Sequence, residues 1–487
     1  MAELNKKEEK QVAAQETSWE QLEEWALKYC LYPFFPAETL PLILRPVERV
    51  DQHFVYFPDG TKALDLLFGL EGVPLGIRHP KISAAIKEAS DSFGYVTEVN
   101  PTRYSVTASK LLMEDILGPD KWAGACRWVD SGSEAVELAL QMARLYTNRP
   151  NIITREWAYH GWTLGAGSCS RLGTIADNII SATEPFQIRE LPGEPGGFHV
   201  VPGQNCYRCS LGHRYPNCKM SDGRLPCVDI IGNMIKAIGV GSVAAIITEI
   251  ASGGPGIMPA KEYVPQLRQL TRDLGILWID DEILMGFGRV GAWFAYQKYG
   301  QGATPDIMLI GKGAINSALP LGGVVVSKEI ASWFQQHCWP SGATFFSHPL
   351  VMAALAASLQ TMIEEKLVEK AVKVGRSFGN KLRKLQEKHK SVGLVSGDGL
   401  YWVVELVKNR ETREPFIKED RNANPGNMFG WPTFAVHARI FEKGVLAGGL
   451  LPNTLTLVPN CNFTEELIDM ACDAIDYGLI AADQMCD

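Results

Sequence analysis

Two apolar runs within residues 275–323 each stop at a charged side chain. The first, 276–279, leads into Asp280, Asp281 and Glu282, and the second, 307–310, leads into Gly311, Lys312 and Gly313. Each is short enough for a buried strand. In a parallel sheet both ends lie on the carboxyl edge, outside which α/β enzymes hold their ligands. The pattern therefore brings an acid and an amine to one crevice, each on a rigid element. Glycines on either side of the amine leave room for a flat ligand and allow unusual dihedrals.

The rest of the chain must support that crevice. Its 487 residues exceed what one core usually holds, so two or three domains in one compact body are expected. A net charge of −8 argues against a nucleic-acid or anionic-membrane surface. The polar start MAELNKKEEKQ has no apolar core of a signal peptide, and no apolar run is long enough to span a bilayer. Eleven scattered cysteines suit a reducing compartment, so a cytoplasmic location is expected.

In chain order, a charged arm gives way to helix from Ser18, and then to an aromatic and proline-rich stretch over 30–44. The latter either lines a pocket or packs as an arm on the body. Alternation around Pro58-Asp59-Gly60 predicts a hairpin of a small meander. Helical spacing follows over 79–93 and again over 105–117. A strand at 127–129 runs into Asp130-Ser131-Gly132-Ser133-Glu134 and an amphipathic helix. Such a turn is either an anion site at a helix N-terminus or an ordinary capping box with Ser131 as cap and Glu134 behind it. A further strand, 151–154, ends near Tyr159, His160 and Gly161. Strand 244–250 reaches Glu249, with a glycine-rich turn over 252–256 at the same edge. A helix over 263–274, a strand at 322–326 and one long helical region from 350 to about 389 complete the reading before the C-terminal strands and closing helix.

The organisation expected is an N-terminal arm with part of a small domain (1–104), a large α/β domain with a mostly parallel sheet (105–350), and a linking helix with the rest of a smaller α+β domain (351–487). Residues 185–227 interrupt the large domain with Cys206, Cys209, Cys218 and Cys227. Four thiolates can bind zinc, yet only the first two form a CxxC, so reduced cysteines in an inserted loop are the competing reading.

A lysine amine in a buried crevice is most useful as a Schiff-base former with an aldehyde cofactor such as pyridoxal phosphate. That cofactor also needs an acid at its pyridine nitrogen, a phosphate site and a contact for its flat ring. Asp281, Gly132-Ser133 and Tyr159 are the candidates. Singly, Lys312 reads as a loop lysine and Asp281 as a helix cap; their joint placement lifts the functional reading.

The runs IDDEILMGFGRVGAWFAYQKYGQGATPDIMLIGKGAINSALPLGG, DSGSEAVELALQMAR, YHGWT and SGATFFSHPL resemble the class III pyridoxal-phosphate aminotransferases of fold type I. The resemblance extends from about Val47 to the closing helix. It implies that Lys312 forms the Schiff base and shuttles the proton, that Asp281 meets the pyridinium, and that Gly132 and Ser133 hold the phosphate. It also implies cofactor contacts for Tyr159, His160 and Glu249. Thr344 is expected to reach the phosphate of a neighbouring subunit in a homodimer. The cysteine insert is similar to that of the taurine and ω-amino acid branch. Two positions depart from the family: Leu284 replaces a polar residue near the cofactor ring oxygen, and Ser396 stands where many members grip a carboxylate with arginine. Arg103 is one candidate replacement. The implied activity is transfer of an amino group from an ω-amino acid or amine, taurine-like, β-alanine-like or GABA-like, to a 2-oxo acid. The alternatives are an amino acid racemase or epimerase of the same family, and a non-catalytic relative acting as a binding module.

Overall fold

The computed structural model describes residues 17–32, 45–67, 69–171, 196–251, 256–417, 432–451 and 453–486. Residues 252–255 of the glycine-rich turn expected over 252–256, most of the aromatic stretch over 30–44 and residues 185–195 of the insert lie outside the described residues. At the centre is a sheet of seven strands: β4 (Ala123–Val129), β5 (Asn151–Arg155), β6 (Phe198–Val201), β7 (Val243–Thr248), β8 (Leu277–Asp281), β9 (Ile307–Gly311) and β10 (Gly322–Ser327). Their spatial order is β4-β10-β9-β8-β7-β5-β6. The run from β9 to β6 is parallel, while β10 is antiparallel to both its neighbours. The sheet is thus mostly parallel, as the apolar runs predict.

Side-chain alternation divides the sheet between two apolar layers. Ile153, Ile246, Trp278, Met308 and Ile310 face one core, which also takes apolar residues of the helices Pro226–Ile238, Tyr263–Leu274 and Pro349–Glu364. Ile152, Ile247, Ile279, Ile307 and Leu309 face the other, against the helices Gly132–Thr147 and Lys328–Gln336. Both faces are dry, which is why β7 and β9 read as unbroken apolar runs. Burial of each large apolar side chain contributes about 1.5–3 kcal/mol.

A smaller sheet joins the two ends of the chain. Strands β1 (Arg49–Val50), β2 (Phe54–Tyr56) and β3 (Lys62–Asp65) form a meander, and β13 (Val445–Leu446) pairs parallel to β3. The Pro58-Asp59-Gly60 turn closes the β2–β3 hairpin, with Gly60 at φ 81° and the Asp59 carboxylate accepting from Thr61 N at 2.9 Å. A third sheet, β11 (Val392–Asp398), β12 (Tyr401–Leu406), β14 (Gly448–Leu451) and β15 (Thr454–Leu457), lies before the closing helix Glu465–Gln484.

The long helical region expected from 350 to 389 is two helices, Pro349–Glu364 and Leu367–Lys388. The break is at Lys366, which takes φ 54°. No glycine or proline marks it, and a left-handed lysine gives no signal in the sequence. The helix predicted over 105–117 starts at Arg103, capped by Thr102, and continues as a π-helix over Leu111–Ile116.

Candidate active site

The carboxyl ends of β4, β5, β7, β8 and β9 meet at one edge, because β10 runs antiparallel to both β4 and β9 and so leaves those two running the same way. At the end of β4, Ser131 caps the helix Gly132–Thr147 by accepting from Glu134 N at 3.2 Å. Glu134 returns its carboxylate to Asp130 N at 3.0 Å. Ser131 is therefore a true N-cap, but the return bond of Glu134 goes to the residue before the cap, so the expected capping box is only half formed; this cap is compatible with an anion site. The first-turn N–H groups of Gly132 and Ser133 have no acceptor inside their own helix, and the helix dipole favours an anion beside them. The loop after β5 is pinned to this turn: Trp162 N donates to Ser133 Oγ at 3.3 Å. Gly161, at φ 118°, makes the close approach possible, since a Cβ there would lie 2.3 Å from Ser133 Oγ.

Asp281 is the last residue of β8 and is 4% exposed. One carboxylate oxygen pairs with His160 Nδ1 at 2.7 Å, and the other accepts from Ile283 N at 3.1 Å. The His160 side chain is wholly buried. Tyr159 donates its backbone N–H to the Glu249 carboxylate at 3.2 Å and sets its ring edge-on to Trp162 at 5.8 Å. Burial pushes its phenol above the ordinary tyrosine range. Glu249 follows β7, and Arg155 at the end of β5 donates to its carbonyl and to Gln204 Oε1. Four of the predicted residues thus come together as two hydrogen-bonded pairs, Tyr159 with Glu249 and His160 with Asp281, joined through the chain at 159–160, and Trp162 links Tyr159 to Ser133.

Lys312 lies just past β9 with φ 34° and is 30% exposed along its side chain. Its Nζ pairs with Glu71 Oε2 at 2.9 Å. Glu71 was not among the residues expected from sequence. Its signal there is a single acid in the otherwise uncharged run 66–77, LLFGLEGVPLGI. Asp280 and Glu282 were also missed as a site feature. Asp280 is fully buried and Glu282 1% exposed, and burial holds both as acids, with Glu282 pushed up to about 8.

Other expected residues have different surroundings. Arg103 donates to Glu88 at 3.1 Å and to the Tyr104 hydroxyl at 2.9 Å on an exposed helix start, so its charge is engaged away from this cluster. Ser396 sits on β11, and its hydroxyl accepts from Met258 N at 3.4 Å. Leu284 packs, partly buried, against the apolar core. Thr344 is exposed, and its carbonyl accepts from the Tyr95 hydroxyl at 2.6 Å. Cys206, Cys209, Cys218 and Cys227 line one small cavity of about 20 Å³ with Tyr215 and Tyr263. Among the described residues, however, no group of three or more His, Cys, Asp or Glu is placed to hold a metal ion. Burial pushes the Cys227 thiol up to about 12, so it stays protonated.

Pyridoxal phosphate fits these groups. A buried carboxylate, held at both oxygens, stands at one strand end; a helix N-terminus lies beside it, and a lysine amine ends the adjacent strand. That set, on a doubly covered and mostly parallel sheet, defines a fold type I pyridoxal-phosphate enzyme. The family model of the class III aminotransferases matches residues 35–479, and the chain belongs to that family. It is similar in structure to an S-selective transaminase from Arthrobacter sp., with TM-score 0.89 and 42% identity over 96% of this chain and 99% of that one. It is also similar to taurine:2-oxoglutarate aminotransferase from Bifidobacterium kashiwanohense, solved with PLP and glutamate, with TM-score 0.84 and 26% identity over 97% and 99%. A leucine/methionine racemase from Thermococcus litoralis is 29% identical over 83% of this chain and 84% of its own. The chain is thus an enzyme of the aminotransferase class rather than a binding module, and its cofactor is pyridoxal 5'-phosphate.

Proposed function

We propose that the enzyme moves an amino group from a primary amine or ω-amino acid to a 2-oxo acid. The observation that carries the donor class is Ser396: its hydroxyl serves Met258 N, and it offers no cationic fork for the second carboxylate of glutamate. The 42% identity to an S-selective transaminase supports the same reading.

When bound, pyridoxal phosphate supplies an aldehyde that links to amines and a ring that takes up the electron pair left at the donor carbon. The residues around it have separate tasks in this reading. Gly132 and Ser133 N–H groups, with Ser133 Oγ, hold the phosphate. The Asp281 carboxylate faces the ring nitrogen and pairs with its proton, while His160 fixes that carboxylate in place. Tyr159 covers the ring face, and Glu249 holds the Tyr159 backbone. Lys312 Nζ takes the proton from the donor carbon and returns it to the reacting skeleton. Thr344 serves the phosphate of the neighbouring subunit in a homodimer. Exposed Tyr95, Val99, Trp162 and Phe345 around that edge support a partner there. All eleven cysteines are free, which supports a cytoplasmic location.

The test is a half-reaction. Holoenzyme mixed with an amine and no oxo acid should release one carbonyl product per subunit and stop, then resume when pyruvate is added. The similarity to a racemase favours one second reading, in which a single amino acid is inverted without loss of its amine. That outcome would replace the transaminase reading.

A further inference from the structure

We propose that Glu71 is the charge partner of Lys312 during turnover and makes it a competent proton carrier. This rests on the reading of Lys312 as the residue that moves the proton. Three observations carry it. The Glu71 carboxylate lies 2.9 Å from Lys312 Nζ, and its side chain is only 14% exposed. Its backbone is held in an unusual shape, with Leu70 at φ 43° and Glu71 at φ 58°. That shape is clamped from below by buried Arg289, which donates to the Glu71 carbonyl and, at 3.4 Å each, to the Leu400 and Pro459 carbonyls. A non-glycine residue in the left-handed region is uncommon and is kept only where the surroundings enforce it. Here the enforcement aims one carboxylate at one amine.

The consequence is a sequence of charge states. When the C–H bond of the donor carbon breaks, the proton forms a new N–H bond on Lys312 Nζ, and the amine becomes an ammonium. The Glu71 carboxylate accepts a hydrogen bond from that ammonium, a charge-assisted bond. The proton then leaves Nζ for the reacting skeleton, and Glu71 is unchanged. The other charged or titratable groups near this pair are Arg289, Asp281, Glu249, Tyr159 and Tyr401. Arg289 directs its N–H groups to carbonyls, and Asp281 and Glu249 have His160 and Tyr159 N as partners. Among the described residues, the only ion pair formed by the Glu71 carboxylate is with Lys312.

The test compares wild type with Glu71→Gln and Glu71→Asp as holoenzymes, with thermal melts to show that each is folded. In Glu71→Gln the pH midpoint of the bound cofactor's absorbance should fall by about one unit, because the stabilised positive charge is lost. The kcat should fall by about 10–100-fold with KM little changed, and the isotope effect with donor deuterated at the reacting carbon should rise. Glu71→Asp should recover part of both. An unchanged midpoint together with an unchanged kcat would overturn the proposal. So would a rise in KM alone, which would make Glu71 a substrate-binding residue. Borohydride trapping is run on all three proteins. Wild type without an adduct on Lys312 would refute the functional reading itself, whereas an adduct in all three with no kinetic change would refute only the role of Glu71.

Discussion

In the proposed function Lys312 links to the cofactor and carries the proton, so Lys312→Ala should lower turnover by about 10³-fold or more, read as kcat with an amine donor. Asp281→Asn keeps the shape but removes the charge that the proposed function sets opposite the ring nitrogen. A loss of about 10²-fold in kcat is expected, with cofactor retained less well on dialysis. The side chain of His160 donates to or accepts from Asp281 at 2.7 Å. Its replacement by alanine should copy the Asp281 defect in weaker form. At this scale the positions of Lys312 and Asp281 at the ends of β9 and β8 were legible because each follows an apolar run. Glu71 was not, because the contact that gives it meaning spans 241 residues of sequence and is set by the fold. The pairing of His160 with Asp281, 121 residues apart, was hidden for the same reason.

Strand β8 and the residue after it place three carboxylates in a row, and alternation sends Asp281 toward the cofactor edge and Asp280 to the opposite face. Asp280 and Glu282 are buried and held as acids, with Glu282 pushed up to about 8. A carboxyl whose folded value is raised stabilises the fold below its unfolded value, and that stability is lost as pH rises through the folded value. Between pH values of about 4.5 and 8, the proton retained by Glu282 lowers stability by about 1.4 kcal/mol per pH unit. Thermal melts should therefore decline across this window, and Glu282→Gln should flatten the decline. A slope unchanged by the substitution would contradict the assignment. The phosphate turn gives a second prediction. Gly161→Ala forces a left-handed alanine whose Cβ lies 2.3 Å from Ser133 Oγ. A stability loss of about 1–3 kcal/mol and weaker cofactor binding are expected, measured by denaturant unfolding and by cofactor titration. The helix over Tyr263–Leu274 was legible to the residue because its apolar period is clean and Gly275 ends it. The antiparallel course of β10 was not, since hydropathy carries no direction, and the break at Lys366 had no glycine or proline to announce it.

In the whole molecule, the site opens on a surface that a single chain leaves apolar. Phe345 is 59% exposed, Tyr95 49% and Trp162 43%, and the helix Trp19–Tyr29 buries none of its residues in this chain. A second copy covering that surface would complete the phosphate site through Thr344. Phe345→Glu should shift sedimentation from dimer to monomer and lower activity with it, and a fully active monomer would contradict the shared site. The most direct test of the central claim is borohydride reduction of the holoenzyme, followed by digestion and mass analysis of the peptides. A reduced cofactor bound covalently to Lys312 in stoichiometric yield is expected. An adduct on a different lysine, or none at all, would contradict it.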